Sequence, residues 1–434
     1  SMRIVISYHH FVRDYRGSRL LADVLKSLGH WVLVTPAWNS DDKLIETFRP
    51  DVVVGCQVAE KTTSRLADVT QKAGVHLVIN SSEQFTTPAN HSVFVSYNCD
   101  QLNEPYIAFQ VIACPQLEKF IQNHPGIQDK SKYRSLGFPR YDIAIDPQLR
   151  SVETPLIRSR YGLPAQSKHA LYISSFLFEE TFQGLPEEDM KRFSYQEVAN
   201  RNRRISEHVF PTLRAISDKI LDRDGVLLIK KHPWDFSNVI DKEFADHPRI
   251  RVLNRDEYIV PCLDACEYIL HSFSTAAIEA WVMDKKTVAI LPQEFRQSLD
   301  LSHMSLEVKT EGRDDTLEVL QNYPPVRSPA QIEQLLNGRS DGRSTIRLAA
   351  EIQRLQPPRQ KQFSRLALRE YLRNIRRFRD NLNGRGFLGP GSESPKMTML
   401  HEFETTRRKI DAIYRKPFAN YVKQHQSYLH ELID

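Results

Sequence analysis

Two successive series of short apolar runs, each run parted from the next by a stretch of helical period, constrain this chain more than any other feature. The first series occupies residues 3–7, 31–35, 51–54, 75–79, 93–97 and 108–113; the second occupies 170–174, 226–229, 250–252, 268–270 and 287–290. Short apolar runs alternating with amphipathic stretches imply βαβ units and parallel sheets. One such stretch, 18–28, carries Leu20, Leu21, Val24, Leu25 and Leu28 on one face, and Gly29 closes it as a left-handed cap. A second long helix is expected around 195–221.

At 434 residues the chain exceeds one ordinary core and fits two domains of roughly 150–200 residues with an appendage. The expected class is α/β, with Rossmann-like parallel-sheet domains over 1–145 and 146–326 facing each other across a cleft. The linker is expected in the turn-rich span 137–164, which opens with Gly137-Phe138-Pro139-Arg140-Tyr141-Asp142 and contains Pro147, Pro155 and Pro164. After about Arg327 the pattern turns helical (330–336, 344–355, 362–382 and 399–432), broken by a Gly/Pro-rich loop over 384–395. This extension, 327–434, is expected to pack back on the N-terminal domain.

No run reaches the eighteen or so apolar residues of a membrane span, and no basic-then-apolar leader opens the chain, so a cytoplasmic protein is expected. The five cysteines, Cys56, Cys99, Cys114, Cys262 and Cys266, have no metal-type spacing and are odd in number, which argues against a disulfide framework and for no bound metal. A net charge of +5 does not by itself suggest a nucleic-acid binder. The charge is concentrated locally: Arg359, Lys361, Arg365, Arg369, Arg373, Arg376, Arg377 and Arg379 stand against Glu370. Phe363, Leu366, Leu368, Tyr371, Leu372, Ile375 and Phe378 recur among them at helical spacing. That pattern reads as an apolar stripe packed on the fold, with contact to an anionic membrane surface as an addition.

Candidate site residues gather where strands end, because in open parallel sheets ligands bind outside the carboxyl ends of the strands. Lys230-Lys231-His232-Pro233 follows one apolar run, and His271-Ser272-Phe273-Ser274-Thr275 follows another and leads into a helix containing Glu279. Hydroxyls and free amides at a strand-to-helix turn suit a phosphate, although Ser274 or Thr275 with Glu279 also fits a plain helix cap. His232 can bond a phosphate oxygen and assist a leaving group, with the lysines supplying charge, or it can be a satisfied structural histidine. Ser174 and Ser175, after the first strand of the second series, are a third contributor or a solvated loop.

In the first series the corresponding stretches are 8–17, read as a polar loop, and 80–85. Asp14 and Glu83 are the carboxylates placed to act as nucleophile or general base, and Arg13, Arg16 and Arg19 could hold an acidic acceptor. An ion pair between Asp14 and an arginine that stiffens the loop is the competing reading. Asp235, just past Pro233, is a further candidate, and the pair His9-His10 has no role derivable from sequence.

Taken together, the tandem α/β pattern, Gly137-Phe138-Pro139-Arg140-Tyr141-Asp142, His232-Pro233 and Ser272-Phe273-Ser274-Thr275 with Glu279-Ala280 resemble bacterial surface-carbohydrate biosynthesis proteins. These are similar to GT-B glycosyltransferases, including transferases of CMP-activated 3-deoxy-manno-octulosonic acid (Kdo) and, more distantly, sialyltransferases and polyol-phosphate transferases. The resemblance covers residues 3 to 325. It implies metal-independent transfer of a sugar from a nucleotide donor, expected to be CMP-linked, to a glycan or glycolipid acceptor, with no cofactor. His232 and the Ser272, Ser274 and Thr275 group would bind the donor phosphate. The competing classes are a nucleotide-sugar epimerase, which needs acid/base groups on both faces of one sugar, and a non-catalytic scaffold using the arginine-rich tail on a membrane or nucleic acid. The helical spacing of the tail's aromatics favours packing over stacking on nucleic acid, so no nucleic-acid partner is expected.

Overall fold

The computed structural model describes residues 1–36, 42–55, 70–81, 83–85, 104–192, 194–325, 328–337, 339–359, 361 and 396–434. The expected strand at 93–97, the basic helix 362–382, the loop 384–395 and Cys56 and Cys99 lie outside the described residues. The described residues form two compact units. One is built from those of Ser1–Leu149, Ser328–Phe378 and His401–Asp434, the other from those of Arg150–Arg327 and Arg379–Leu400.

In the first unit six parallel strands are β1 (Arg3–Tyr8), β2 (Trp31–Pro36), β3 (Val52–Gly55), β4 (His76–Ile79), β5 (Ile107–Ile112) and β6 (Tyr133–Ser135). They lie in the order β2-β1-β3-β4-β5-β6. Val52, Val53 and Val54 are fully or almost fully buried, as expected of an interior strand covered on both faces. The chain reverses order at β1, between β2 and β3, which makes the carboxyl ends of β1 and β3 the unit's switch point.

Helix α1 spans Phe11–Ser27, seven residues more at its start than the expected 18–28, so most of the stretch read as a polar loop is helical. Two local causes account for it. Asp14 accepts the His10 amide at 2.9 Å, which satisfies an open donor at the helix start. Phe11 stacks on Tyr15 one turn later at 5.0 Å, and Tyr15 packs edge-on against Tyr8 at 5.4 Å. At the other end Gly29 takes φ +84°, the left-handed conformation its position demands.

The motif Gly137 to Asp142 docks the C-terminal helices of the same unit. Gly137 has φ +89°, and a side chain there would run into Ser344 and Arg339. The Asp142 carboxylate accepts the amides of Thr345 at 2.6 Å and Ser344 at 3.3 Å, at the start of α4 (Ser344–Arg354). Arg347 donates to the Leu136 carbonyl at 2.8 Å. The last helix, α5 (Lys396–Ile433), sends Asp411 to the Tyr15 hydroxyl at 2.8 Å and Tyr421 to the Gly342 carbonyl at 2.6 Å. No described helix is long and apolar enough to cross a membrane.

The second unit has β7 (Ala170–Ile173), β8 (Leu227–Lys230), β9 (Ile250–Val252), β10 (Tyr268–His271), β11 (Lys286–Ile290) and β12 (Lys309–Thr310), all parallel, in the order β12-β11-β10-β7-β8-β9. Counted from its first strand this is the 3-2-1-4-5-6 arrangement of a doubly wound sheet, whose switch point lies between β7 and β10. Helix α2 (Tyr195–Lys219) covers one face and buries Ile205, Val209, Phe210, Leu213 and Ile216 in the unit's core. The short helix α3 (Ala276–Val282) follows β10 directly.

Candidate functional site

Strand register aligns the polar residues of the second unit. Ile173 pairs with His271 on one side and with Lys230 on the other. The chain therefore leaves β10, β7 and β8 at one level, at Ser272, Ser174 and Lys231, on strands about 4.8 Å apart. The Ser174 amide donates to the Lys230 carbonyl at 2.9 Å, extending the ladder one residue past the strand.

Several of the expected residues are taken up by the fold at that level. Ser174 is buried and its hydroxyl accepts the Phe176 amide at 3.1 Å. Ser272 is buried and shares a hydrogen bond of 3.0 Å with the Tyr172 hydroxyl, whose pKa burial pushes well up. Lys231 donates to the Ser237 carbonyl at 2.6 Å and to Asp241 at 2.7 Å. Asp235 is buried, accepts from both the amide and hydroxyl of Ser237 and from Thr181, and burial raises its pKa despite those bonds. Glu279, in α3, is also buried.

Ser175, Lys230, His232, Ser274 and Thr275 form a half-buried rim, in which Lys231 and Phe273 are equally half-buried. The Lys230 amine reaches the Arg255 carbonyl at 3.4 Å, and burial holds its pKa below the usual lysine value. His232 accepts the Trp234 amide on Nδ1 at 3.1 Å, so a proton on the ring sits on Nε2. Thr275 makes no side-chain cap bond to α3, whereas the Ser274 hydroxyl accepts the Ala276 amide at 3.2 Å; the cap reading holds for Ser274 and not for Thr275.

Three further buried residues support this rim, in roles that the sequence alone does not suggest. His271, the last residue of β10, accepts the Ser274 amide on Nδ1 at 3.0 Å and meets Glu307 through Nε2 at 3.0 Å. His303 meets the Ser274 carbonyl at 3.1 Å. Glu307 and His303 stand about thirty residues beyond the loop they serve, just before the two-residue β12. No local pattern marks them.

The first unit gathers charge at its own switch point. A concavity of about 40 Å³ is lined there by Ser7, Arg13, Asp14, Gly55, Asn80, Ser81, Phe138 and Arg140, among others. Arg13 donates to Asp14 through Nε at 2.8 Å and Nη2 at 3.1 Å, and its Nη1 pairs with Glu83. Burial opposes ionisation of Asp14, but the charge and hydrogen bonds of Arg13, with Arg140 and the His10 amide, outweigh it, and its pKa is lowered. Desolvation, reinforced by Arg13, likewise holds His9 below its ordinary value. Glu83 keeps 68% of its side chain exposed. Arg16 is buried and donates to the Val12 carbonyl at 3.3 Å. Arg19 lies 3.4 Å from both Asp23 and Asp411, a partner on α5, and does not line the concavity. Of the expected arginines Arg13, Arg16 and Arg19, Arg13 alone is among the residues lining the concavity, where it is joined by Arg140. Among the described residues no group of three or more His, Cys, Asp or Glu is arranged to hold a metal ion.

No family model matches this sequence, and no curated protein matches it. Solved structures do. The wall teichoic acid polymerase TagF superposes with a TM-score of 0.55 at 10% identity, covering 81% of this chain and 88% of that one. S. aureus MnaA, solved with UDP, gives 0.53 at 13% identity, covering 81% and 96%. A UDP-N-acetylglucosamine 2-epimerase gives 0.52 at 13% identity, covering 81% and 95%. At such identities the likeness is one of fold. This chain has the two-domain, Rossmann-like α/β fold of the GT-B kind, extended by a C-terminal helix.

Proposed function

We propose that this protein is a nucleotide-sugar-dependent glycosyltransferase of surface-glycan synthesis, binding its donor in the second unit. The observation that carries the reading is the switch point between β7 and β10, where Ser175, Ser274 and Thr275 border a row continued by Lys230, the last residue of β8, and by His232 just beyond it. In this reading the donor phosphates meet the hydroxyls of Ser274 and Thr275, the charge of Lys230 and the Nε2–H of His232. His232 then donates a hydrogen bond to the departing phosphate. Ser174, Ser272, Lys231 and Glu279 serve by shaping the loops. An acceptor with an acidic group meets Arg13 and Arg140 in the first unit, where Asp14 orients Arg13 and Glu83 is the carboxylate open to a reacting hydroxyl. The finer reading is an acidic sugar such as Kdo on a CMP donor, transferred without a metal.

A second reading has support of its own, since two of the similar folds are MnaA with UDP and a UDP-N-acetylglucosamine 2-epimerase. TagF, by contrast, is a polymerase, also solved as a histidine-to-asparagine variant soaked with CDPG.

Thermal shift against CMP, CDP, UDP and GDP, with and without magnesium, tests the donor site. A transferase of this kind is stabilised by one nucleotide without the metal; no shift at millimolar concentration removes the reading. His232→Ala should abolish the shift and leave the melting temperature of the free protein within about 2 °C. Incubation with UDP-N-acetylglucosamine, followed by proton NMR, separates the two enzyme classes, because inversion at C2 without any acceptor establishes the epimerase.

A further inference from the structure

The peptide of Ser274 is held at both ends by buried imidazoles. His271 and His303 are both fully buried. A backbone N–H can only donate, so His271 Nδ1, 3.0 Å from the Ser274 amide, accepts. The His271 proton therefore sits on Nε2 and is given to the Glu307 carboxyl at 3.0 Å. Glu307 is fixed in turn by the Thr287 hydroxyl at 2.7 Å, and that hydroxyl accepts the Trp281 indole N–H at 2.7 Å. At the other end the Ser274 carbonyl can only accept, so His303 carries its proton on Nε2, 3.1 Å away. The His303 ring packs edge-on against Trp281 at 5.7 Å, so both imidazoles rest on the same indole framework.

We infer that His271 and His303, with Glu307 setting the His271 tautomer, are positioning residues that fix the Ser274 peptide and so aim the Ser274 and Thr275 hydroxyls at the donor's phosphate. The assignment rests on the donor-site reading above. It explains why a strand of four residues ends in a buried histidine, and why the segment before β12 carries a buried carboxyl and a second buried histidine. Neither imidazole needs to touch the ligand. Each removes a degree of freedom from one peptide plane, which is how a buried second layer of hydrogen bonds orients the groups that do touch a ligand.

The two anchors use different ring nitrogens, which gives a crossed test. Asparagine mimics Nδ1 and glutamine mimics Nε2. His271→Asn keeps an acceptor for the Ser274 amide and loses Glu307, whereas His271→Gln keeps Glu307 and loses the amide. At 303 the order reverses: His303→Gln keeps a donor for the Ser274 carbonyl and His303→Asn loses it. Titration calorimetry with CMP and with UDP should find His271→Asn and His303→Gln within about 3-fold of wild type, and His271→Gln and His303→Asn weakened about 10-fold, the factor set by one hydrogen bond. Hydrogen exchange over peptides spanning 271–279, without ligand, should show faster exchange at the Ser274 amide in His271→Gln and near-wild-type exchange in His271→Asn. If all four variants bind alike, or affinity follows melting temperature instead of the crossed order, the assignment is overturned. If wild type binds neither nucleotide, the donor reading falls and takes the ligand half of the assignment with it. Uniform exchange at Ser274 across the His271 pair would instead overturn the anchor itself, whatever the nucleotide results.

Discussion

The switch points of the two units solve the same problem with different chemistry. In the first unit the groups are held by opposite charges: Arg13, in α1, binds Asp14 through two bonds and Glu83 through a third. In the second they are held by hydrogen bonds from imidazoles, a hydroxyl and an indole, and the rim residues Ser175, Thr275 and His232 are left half-buried. A site whose charges are spent on one another is stiff and depends on pH. In the second unit the support runs through imidazoles, a hydroxyl, an indole and the Glu307 carboxyl, and Lys230 keeps one long bond of 3.4 Å, to the Arg255 carbonyl.

Removing the central cation of the first unit breaks that comparison most severely. Arg13→Ala leaves the buried Asp14 without its partner and should cost about 3 kcal/mol, the low end for a buried pair because Arg13 keeps some contact with water. Asp14 has a lowered pKa in the folded wild type, so its contribution is present above about 4 and fades as pH falls through the folded value. Without Arg13 only Arg140 and the His10 amide still oppose burial, so the lowering weakens and this pH-dependent contribution shrinks. Urea midpoints at about pH 3 and about pH 7 read the effect, with the gap between wild type and variant narrower at the lower pH; a gap that is equal at both values would show that Asp14 does not depend on Arg13.

Asp142 gives the next largest effect. Burial pushes its carboxyl up to about 7, against the pull of the Thr345 and Ser344 amides and Arg347. A raised folded pKa means that its contribution is fully present below about 4 and is lost as pH rises through about 7. Asp142→Asn removes that titration. The melting temperature of wild type minus that of the variant should therefore fall by several degrees between about pH 5 and about pH 8. A difference that stays constant across that range would mean the carboxyl does not titrate there.

How far these features can be read from sequence follows from the range of the interactions. Ten of the strands begin or end close to apolar runs visible in the sequence, because a strand buried on both faces must be apolar throughout. Strand β6, Tyr133-Arg134-Ser135, and the two-residue β12, Lys309-Thr310, are not apolar runs and leave no such trace. The start of α1 is hidden because Phe11 and Tyr15, which stack within one turn, lie among His9, His10, Arg13 and Asp14 and give the segment a polar average. At the sites, residue types at strand ends are legible and their partners are not: Ser174 and Ser272 have the right chemistry for a phosphate, but their bonds to the Phe176 amide and Tyr172 need the fold to be seen. Gly137 to Asp142 reads as a linker motif, and its bonds to Ser344 and Thr345 lie some two hundred residues away.

A smaller effect sharpens the second unit. Adjacent lysines divide the work there, with Lys231 tied to Ser237 and Asp241 and Lys230 on the rim. Lys231→Ala should cost about 1 kcal/mol of stability and leave nucleotide affinity within about 3-fold. Lys230→Ala should do the reverse, costing affinity about 10-fold or more with little change in stability. Chemical denaturation and calorimetry on the pair decide it, and equal losses of affinity would return Lys231 to the ligand.

Glu83 carries the smallest expected change in stability and the sharpest question about chemistry. Its side chain is 68% exposed, and an ion pair so open to water contributes at most about 0.5 kcal/mol, so Glu83→Gln should leave the urea midpoint unchanged within error. Asp14→Asn, in contrast, disturbs a buried bidentate pair and should destabilise measurably, so any loss of turnover there mixes chemistry with folding. Glu83 is free of that confusion. If it is the carboxylate that takes a proton from the acceptor, Glu83→Gln lowers kcat by about 100-fold or more, keeps nucleotide binding, and removes the acidic limb of the rate profile. Unchanged turnover would take Glu83 out of the mechanism and leave it as the outer end of the Arg13 clamp.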